Sequence, residues 1–254
     1  MVIGDQGVRL VLAHHAGGSR LAYRGWEEHL PDDWEVLALD VPGRGLAHDR
    51  PPARDLDEVA AALLDRALDG LDRPLALFGH SMGAAVVSRM AGLLLAGCGP
   101  APVWLGLSGW TARPGRGRAG VEAMTDGQFL DLLADMGGTP PGLLADPALR
   151  RFVLPALRAD LAVLEEFDPV GDTTWLETPI SVFGGRDDPG ATEARLAGLA
   201  AAARRLIGVH VHPGGHFYLA ERPGEIARQI VHDVRSAQRA TATPNDPQLI
   251  TRGT

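Results

Sequence analysis

A serine lies at the centre of a Gly-x-Ser-x-Gly pentapeptide, Gly79–Gly83. The apolar run Leu75–Phe78 precedes the pentapeptide and the small and apolar residues of Ala84–Ala96 follow it, which predicts a strand, a tight turn and a helix. Such a turn holds the Ser81 hydroxyl clear of the backbone, and its glycines leave room for neighbouring backbone. The unpaired N–H groups at the start of the helix can stabilise negative charge nearby. We therefore predict a nucleophilic Ser81, the alternative being an ordinary turn serine.

A serine hydroxyl needs a base, and the base needs an acid that orients it. His216 follows a predicted strand and two glycines, so we predict that it is the base rather than a helix-capping or surface histidine. Asp188 follows another strand and precedes Pro189, which favours an extended backbone at that position. We prefer Asp188 to Asp187 as the acid, and two solvated turn aspartates are the alternative. The order Ser, Asp, His is that of the α/β-hydrolases. Some members of that group place the acid after an earlier strand, but here the corresponding segment, Gly106–Trp110, has no carboxylate.

Two backbone N–H groups are needed to hold an oxyanion. Met82, directly after the nucleophile, supplies one. The second is expected from the loop Ala13–Ser19, in which Gly17 and Gly18 let the backbone approach a bound carbonyl closely. We predict that Ala16 is this second donor.

The remaining histidines raise the question of a metal site. His14 and His15 are adjacent, and His210 and His212 share one face of a strand. No acidic or cysteine partner has ligand spacing near either pair, so we expect no metal. His80 is expected to be packed or hydrogen-bonded locally rather than catalytic.

Strand-like and helix-like segments alternate along the chain. The predicted strands are Val8–Ala13, Glu35–Asp40, Leu75–Phe78, Val103–Leu107, Ile180–Phe183 and Val209–Val211. An amphipathic helix is predicted over Leu56–Leu71. Continuous apolar strands that alternate with helices predict the α/β class: an α/β-hydrolase fold with a mostly parallel central sheet flanked by helices.

The alternation stops between Trp110 and Trp175. Helices are predicted there over Asp126–Met136 and Pro147–Phe167, so we interpret the block as a helical lid over the carboxyl ends of the strands, where ligands bind in open α/β sheets. The predicted organisation is a hydrolase core over residues 1–110 and 176–235, a lid insertion over 111–175, and a mobile polar tail over 236–254.

Composition excludes several classes of protein. The 254 residues carry a net charge of −8, which argues against a nucleic-acid partner. Cys98 is the only cysteine, so no intramolecular disulfide forms, and a reducing cytoplasm is expected. There is no signal-peptide pattern and no apolar run of membrane-spanning length, so we expect no membrane association. Nothing indicates assembly, and a monomer is expected.

Five motifs together carry a family resemblance: His15–Ser19, Pro42–Gly45, Gly79–Gly83, Leu154–Asp160 and Gly214–Phe217. Over nearly its whole length the chain resembles the type II thioesterases that accompany polyketide and nonribosomal peptide synthases. The resemblance implies hydrolysis of acyl thioesters from the phosphopantetheine arm of acyl or peptidyl carrier proteins, without a cofactor, typically to clear stalled or wrongly loaded chains. It gives Ser81, His216 and Asp188 the triad roles, and Ala16 and Met82 the oxyanion hole.

Three arginines without an acidic neighbour, Arg113, Arg116 and Arg118, lie in the segment after Trp110. We hypothesise that they contact the carrier protein or the pantetheine phosphate, the alternative being a solvated hinge loop. An acyltransferase or a general carboxylesterase on the same fold is an alternative function. A non-catalytic binding protein that keeps the hydrolase fold is a more distant one.

Overall fold

The computed structural model describes residues 6–111, 118–136, 142, 146–166 and 173–242. In this part of the chain, a parallel sheet has the strand order β2-β1-β3-β4-β5-β6. Its strands are β1 (Arg9–Ala13), β2 (Glu35–Leu39), β3 (Leu75–His80), β4 (Trp104–Ser108), β5 (Pro179–Gly185) and β6 (Arg205–His212). The predicted α/β class with a mostly parallel sheet is confirmed.

Helices connect the strands. The α-helices are α1 (Leu56–Leu68), α2 (Met82–Leu93), α3 (Arg118–Glu122), α4 (Asp126–Met136), α5 (Pro147–Glu166), α6 (Glu193–Ala202), α7 (Tyr218–Glu221) and α8 (Pro223–Ala242). Short 3₁₀ helices span Arg20–Tyr23, Trp26–His29, Gly45–Ala47 and Thr174–Glu177, and a π turn, Leu94–Cys98, follows α2. Local signals fix some of the boundaries: the Asp55 side chain caps α1 by accepting a hydrogen bond from Glu58 N–H at 2.8 Å.

Two apolar layers cover the sheet. Val11 and Leu77 face α1 and α2, whereas Leu10, Leu12 and Phe78 face α8 and the first 3₁₀ helices. All five side chains are fully buried because successive strand residues alternate between two covered faces. The central strands therefore read as continuous apolar runs in the sequence.

The edge strand β6 is longer than the predicted Val209–Val211. It spans Arg205–His212, and residues such as Leu206 and Val209 are exposed. An edge strand is half solvated, so its sequence lacks the continuous apolar run of a central strand. That run was the signal on which the prediction depended.

Helix α8 was not predicted from the sequence. It continues to Ala242, past residue 236, where the polar tail was expected to begin. Ile230, Val234 and Ala237 are buried at helical spacing, and this apolar stripe holds the helix on the sheet. Residues 243–254 of the predicted tail lie outside the described residues.

Helices α4 and α5 lie between β4 and β5 in the chain. They share an apolar cluster that includes Phe129, Leu133, Leu157 and Leu161 and that also contacts Ala16, just after β1. Helix α5 therefore lies over the carboxyl end of the sheet. The predicted bounds of α4 match, and the predicted last residue of α5, Phe167, lies outside the described residues.

Asp233 of α8 is buried against the sheet, with 1% of its surface exposed. His210 Nε2 donates to its Oδ2 at 2.7 Å, and Gln229 donates to Oδ1 at 2.9 Å. Burial raises the pKa of Asp233, but the hydrogen bonds from His210 and Ser181 outweigh burial and leave the pKa below its usual value. The carboxylate therefore stabilises the contact between α8 and the sheet.

Replacing the carboxylate tests this contact. We expect Asp233→Asn to lower the free energy of unfolding at pH 7 by about 2–3 kcal/mol, because a charge-assisted buried hydrogen bond is lost. Since the folded-state pKa is depressed, this difference is present at neutral pH and shrinks as the pH falls below about 4, the unfolded value. Urea unfolding of both proteins at several pH values measures it.

The matched control is Glu225→Gln. Glu225 lies in α8, like Asp233, and pairs with His212 of β6 at 2.8 Å, but its side chain is 45% exposed. We therefore expect the free energy of unfolding to fall by less than about 1 kcal/mol. Equal losses for the two variants would contradict the role assigned to Asp233.

Candidate active site

Ser81 lies in a sharp turn between β3 and α2. Its backbone has φ 56° and ψ −116°, and among the described residues other than glycine it alone has a positive φ. Its N–H donates to Ser108 O at 2.7 Å, which ties the turn to β4. A non-glycine residue held in this region costs about 1–3 kcal/mol and is typical of functional sites. The turn has the strand-to-helix form that the pentapeptide predicted.

The two glycines of the pentapeptide are required by close backbone approach. A Cβ on Gly79 would overlap the Gly83 carbonyl, and a Cβ on Gly83 would overlap the Ala13 carbonyl. The start of α2 can therefore lie against the end of β1. This packing brings Met82, the first residue of α2, next to the loop that follows β1.

The loops after β5 and β6 bring Asp188 and His216 together. Asp188 Oδ2 accepts a hydrogen bond from His216 Nδ1 at 2.7 Å, and its Oδ1 accepts one from Gly190 N–H at 2.8 Å. Asp188 is 1% exposed, whereas Asp187 is exposed to solvent. Because Nδ1 donates to the carboxylate, Nε2 of the neutral ring is the nitrogen that can accept a proton.

Backbone hydrogen bonds hold those two loops in register. Arg186 N–H donates to His212 O at 2.8 Å, and Asp187 N–H donates to Gly214 O at 2.9 Å. The loops begin on neighbouring strands whose carboxyl ends meet at one edge of the sheet. The position of Asp188 is therefore set by main-chain pairing as well as by its own side chain.

His80 is fully buried beside His216, with ring centroids 4.9 Å apart. Its Nδ1 is 2.8 Å from Ser108 Oγ, and Ser108 Oγ is 2.7 Å from the Tyr218 hydroxyl. The prediction of a packed, locally hydrogen-bonded His80 is confirmed. The sequence analysis did not predict Ser108 and Tyr218 as its partners, because they come from β4 and α7 and carry no local signal.

The loop after β1 is fixed at several points. His14 is buried, its Nε2 accepts from Val41 N–H at 3.3 Å, and its Nδ1 donates to His15 O at 2.8 Å. His15 O also accepts from Gly18 N–H at 3.0 Å, which closes a turn with Ala16 and Gly17 at its centre. The structure thus places Ala16 in an ordered turn beyond the carboxyl end of β1.

Neighbouring histidines are neutral at physiological pH. Burial lowers the pKa of His15 to about 4, and repulsion by the His14 and His216 rings when they are protonated adds to this effect. Burial likewise lowers the pKa of His14, and it lowers that of His80 well below the usual value. Positive charge that forms on His216 would therefore meet no charged imidazole in these three positions.

A buried carboxylate on α5 reaches the same region. Asp160 accepts from Gly17 N–H at 2.7 Å and from Arg44 Nη2 at 2.8 Å. Burial raises the pKa of Asp160, and the Arg44 charge and the Gly17 hydrogen bond oppose this rise. The sequence analysis did not predict a site role for Asp160 or Arg44. The available signal was their occurrence in two of the five family motifs.

Between α5 and the start of α2 lies a cavity of about 240 Å³. Val41, Val59, Met82 and Val163 contribute apolar walls, and Arg44 is among its polar lining residues. Because Met82 directly follows Ser81, the cavity lies next to the nucleophile turn.

The three arginines proposed to contact a carrier protein lie wholly or partly outside the described residues. Arg113 and Arg116 lie outside the described residues, as does the side chain of Arg118, the first residue of α3. Within the described ranges there is no group of three or more histidine, cysteine, aspartate or glutamate side chains that could hold a metal ion. No helix in those ranges has the length and hydropathy needed to cross a membrane.

Comparison with known proteins identifies the family. The thioesterase domain model matches residues 8–234. Gramicidin S biosynthesis protein GrsT of Aneurinibacillus migulanus is 29% identical over 229 residues, covering 90% of this chain and 89% of GrsT.

Two solved structures are similar in both sequence and fold. RedJ, the thioesterase from the prodiginine biosynthetic pathway in Streptomyces coelicolor, superposes with a TM-score of 0.75 at 29% identity, covering 89% of this chain and 85% of RedJ. The type II thioesterase BorB from the borrelidin biosynthetic cluster superposes with a TM-score of 0.72 at 29% identity, covering 90% and 93%. The family match spans the sheet, Ser81, Asp188 and His216, and the chain belongs to the thioesterase domain family.

Proposed function

We propose that this thioesterase hydrolyses acyl thioesters carried on the phosphopantetheine arm of carrier proteins, with Ser81 as nucleophile, His216 as general base and Asp188 as the orienting acid. The observation that carries the proposal is the 2.7 Å hydrogen bond between Asp188 and His216 Nδ1. The His216 ring packs against His80, the residue directly before the serine that is held at positive φ. The hydrogen bond supports an imidazole in the tautomer that can take a proton from the serine.

The reaction takes two steps. Ser81 Oγ attacks the thioester carbonyl while His216 Nε2 accepts its proton, and the N–H groups of Ala16 and Met82 stabilise the oxyanion. The intermediate collapses, the C–S bond breaks, and His216 returns the proton to the departing thiolate. Water activated by His216 then attacks the acyl-serine ester, and the second collapse releases the carboxylic acid and restores Ser81. These steps require no cofactor.

The proposed partners are acyl or peptidyl carrier proteins of a polyketide or nonribosomal peptide synthase. This protein would act on them in trans, as an editing enzyme. Support comes from the similarity to a gramicidin S biosynthesis protein and to thioesterases of the prodiginine and borrelidin systems. We propose that residues 111–175 are the lid over a core formed by residues 1–110 and 176–235. The cavity beside Met82 would take the acyl chain. We propose a cytoplasmic monomer.

The direct test is release of short acyl groups from a phosphopantetheinylated carrier protein, followed by mass spectrometry. We expect hydrolysis by the wild type and a loss of at least about 10³-fold in Ser81→Ala, because the nucleophile is removed. Ser88→Ala is the matched control: Ser88 lies in α2, the helix that begins directly after Ser81, and donates to Ala84 O. Its loss should leave the turn intact and activity within about threefold.

Matched oxygen esters and an added acceptor complete that experiment. Cleavage of oxygen esters without release from the carrier would contradict the proposal and identify a general carboxylesterase. Transfer of the acyl group to a thiol or alcohol in preference to water would identify an acyltransferase. Binding without turnover of any ester would identify a non-catalytic binding protein.

Arg113, Arg116 and Arg118 are the proposed contacts for the carrier protein or the pantetheine phosphate. With a net charge of −8, the whole chain would steer an acidic carrier only weakly or would repel it, so a local basic segment would matter for docking. We expect reversal of the three charges to raise KM for acyl-carrier by about 3- to 10-fold and to leave KM for a small acyl-thiol unchanged.

The matched control for that experiment reverses Arg73 and Arg204. Arg73 lies two residues before β3 and Arg204 lies directly before β6, so both are at the amino end of the sheet, away from the site. Equal changes in KM for both substrates, or an equal effect of the control, would contradict the docking role.

A further inference from the structure

The turn that contains Ala16 has two possible orientations of its central peptide. His15 O accepts from Gly18 N–H, and Gly17 has φ +72°, which is the geometry of a type II turn. Type I and type II turns differ by a flip of the peptide that joins the two central residues, here Ala16 and Gly17. A Cβ on Gly17 would also come within 2.6 Å of Leu157 Cδ2, so glycine is needed for both space and conformation.

Asp160 selects one of these orientations. Its Oδ2 accepts the Gly17 N–H, which is the N–H of the central peptide, at 2.7 Å. In the flipped turn the Ala16 carbonyl oxygen would face the carboxylate instead, and two acceptors would repel each other. Arg44 fixes the carboxylate from the other side and also donates to Ala156 O at 2.8 Å, so the carboxylate is held on α5.

The Ala16 N–H belongs to the peptide before the central one, which is shared by both turn types, so its location depends on where the whole turn is anchored. That N–H belongs to the peptide whose oxygen, His15 O, accepts from Gly18 N–H and from His14 Nδ1. In a trans peptide the N–H points opposite to the carbonyl. Holding His15 O inside the turn therefore directs the Ala16 N–H outward.

We infer that Asp160 is a positioning residue for the reaction: from α5 it anchors the turn through the Gly17 N–H and so keeps the Ala16 N–H in place for the oxyanion. The inference rests on the proposed role of Ala16 in the oxyanion hole. It makes catalysis depend on the seating of α5, because a displaced α5 would carry away the acceptor that maintains the turn. Asp160 and Gly17 are 143 residues apart in the chain, so this contact forms only in the folded protein.

The test is Asp160→Asn. An amide in this place puts an NH₂ group against either the Gly17 N–H or Arg44, so one contact becomes donor against donor. We expect kcat for acyl-thioester hydrolysis to fall about 10- to 100-fold with KM within about twofold, because an oxyanion donor acts in the transition state. The rate at which a fluorophosphonate labels Ser81 should fall by a similar factor. If the Asn variant does not fold, Asp160→Glu keeps the charge beside Arg44, displaces the carboxylate and should show the same loss.

The matched control is Asp126→Asn, which removes an exposed partner of Arg158 on α5 without touching the turn; it should keep kcat and the labelling rate. If an Asp160 variant keeps kcat and the labelling rate unchanged, and only its thermal stability falls or its KM rises, the inference is overturned. The labelling rate needs no carrier substrate. A wild type that is labelled but releases nothing from a carrier would contradict the proposed function, while the labelling rate of the Asp160 variant would still decide this inference.

Discussion

The close contact between the start of α2 and the end of β1 is the constraint on which the site depends. Only a glycine at position 83 lets the helix backbone lie against the Ala13 carbonyl, and only a glycine at position 79 admits the Gly83 carbonyl. Ser81 is consequently held at a positive φ that an isolated chain would avoid. The same contact sets Met82 beside the loop that carries Ala16. The same contact therefore positions the proposed nucleophile and both proposed oxyanion donors.

The parallel sheet supplies the rest of the geometry. Because β5 and β6 are neighbours, their loops meet at the carboxyl edge and pair through main-chain hydrogen bonds, which carries Asp188 to His216. Burial keeps His14, His15 and His80 neutral around this pair. In the proposed reaction, an imidazolium on His216 would be stabilised by the Asp188 carboxylate and would meet no charged imidazole among these rings. This arrangement suits a base that must gain and return a proton in each step.

The parts of the fold that the sequence predicted are those with local causes. The strand, glycine turn and helix around Ser81 are contiguous in the sequence. Pro189 was the local reason to prefer Asp188 to Asp187. Strand β6 was predicted too short and helix α8 was not predicted, since their apolar stripes are interrupted by polar residues. Asp160 could not be assigned a role, because its partner Gly17 is brought to it only by the docking of α5 on the sheet. Ser108 and Tyr218 were missed for the same reason.

The proposed mechanism requires Asp188 to orient His216 as the base for Ser81. The most direct test of this requirement is the rate at which Ser81 becomes acylated by an acyl thioester in Asp188→Asn and Asp187→Asn, which differ only in which of two adjacent carboxylates is removed. The proposed mechanism predicts a fall of about 10³- to 10⁴-fold for Asp188→Asn, because the imidazole loses its tautomer and its counter-charge. For Asp187→Asn it predicts a rate within about threefold of wild type. Similar rates for the two variants, or a larger loss for Asp187→Asn, would contradict it.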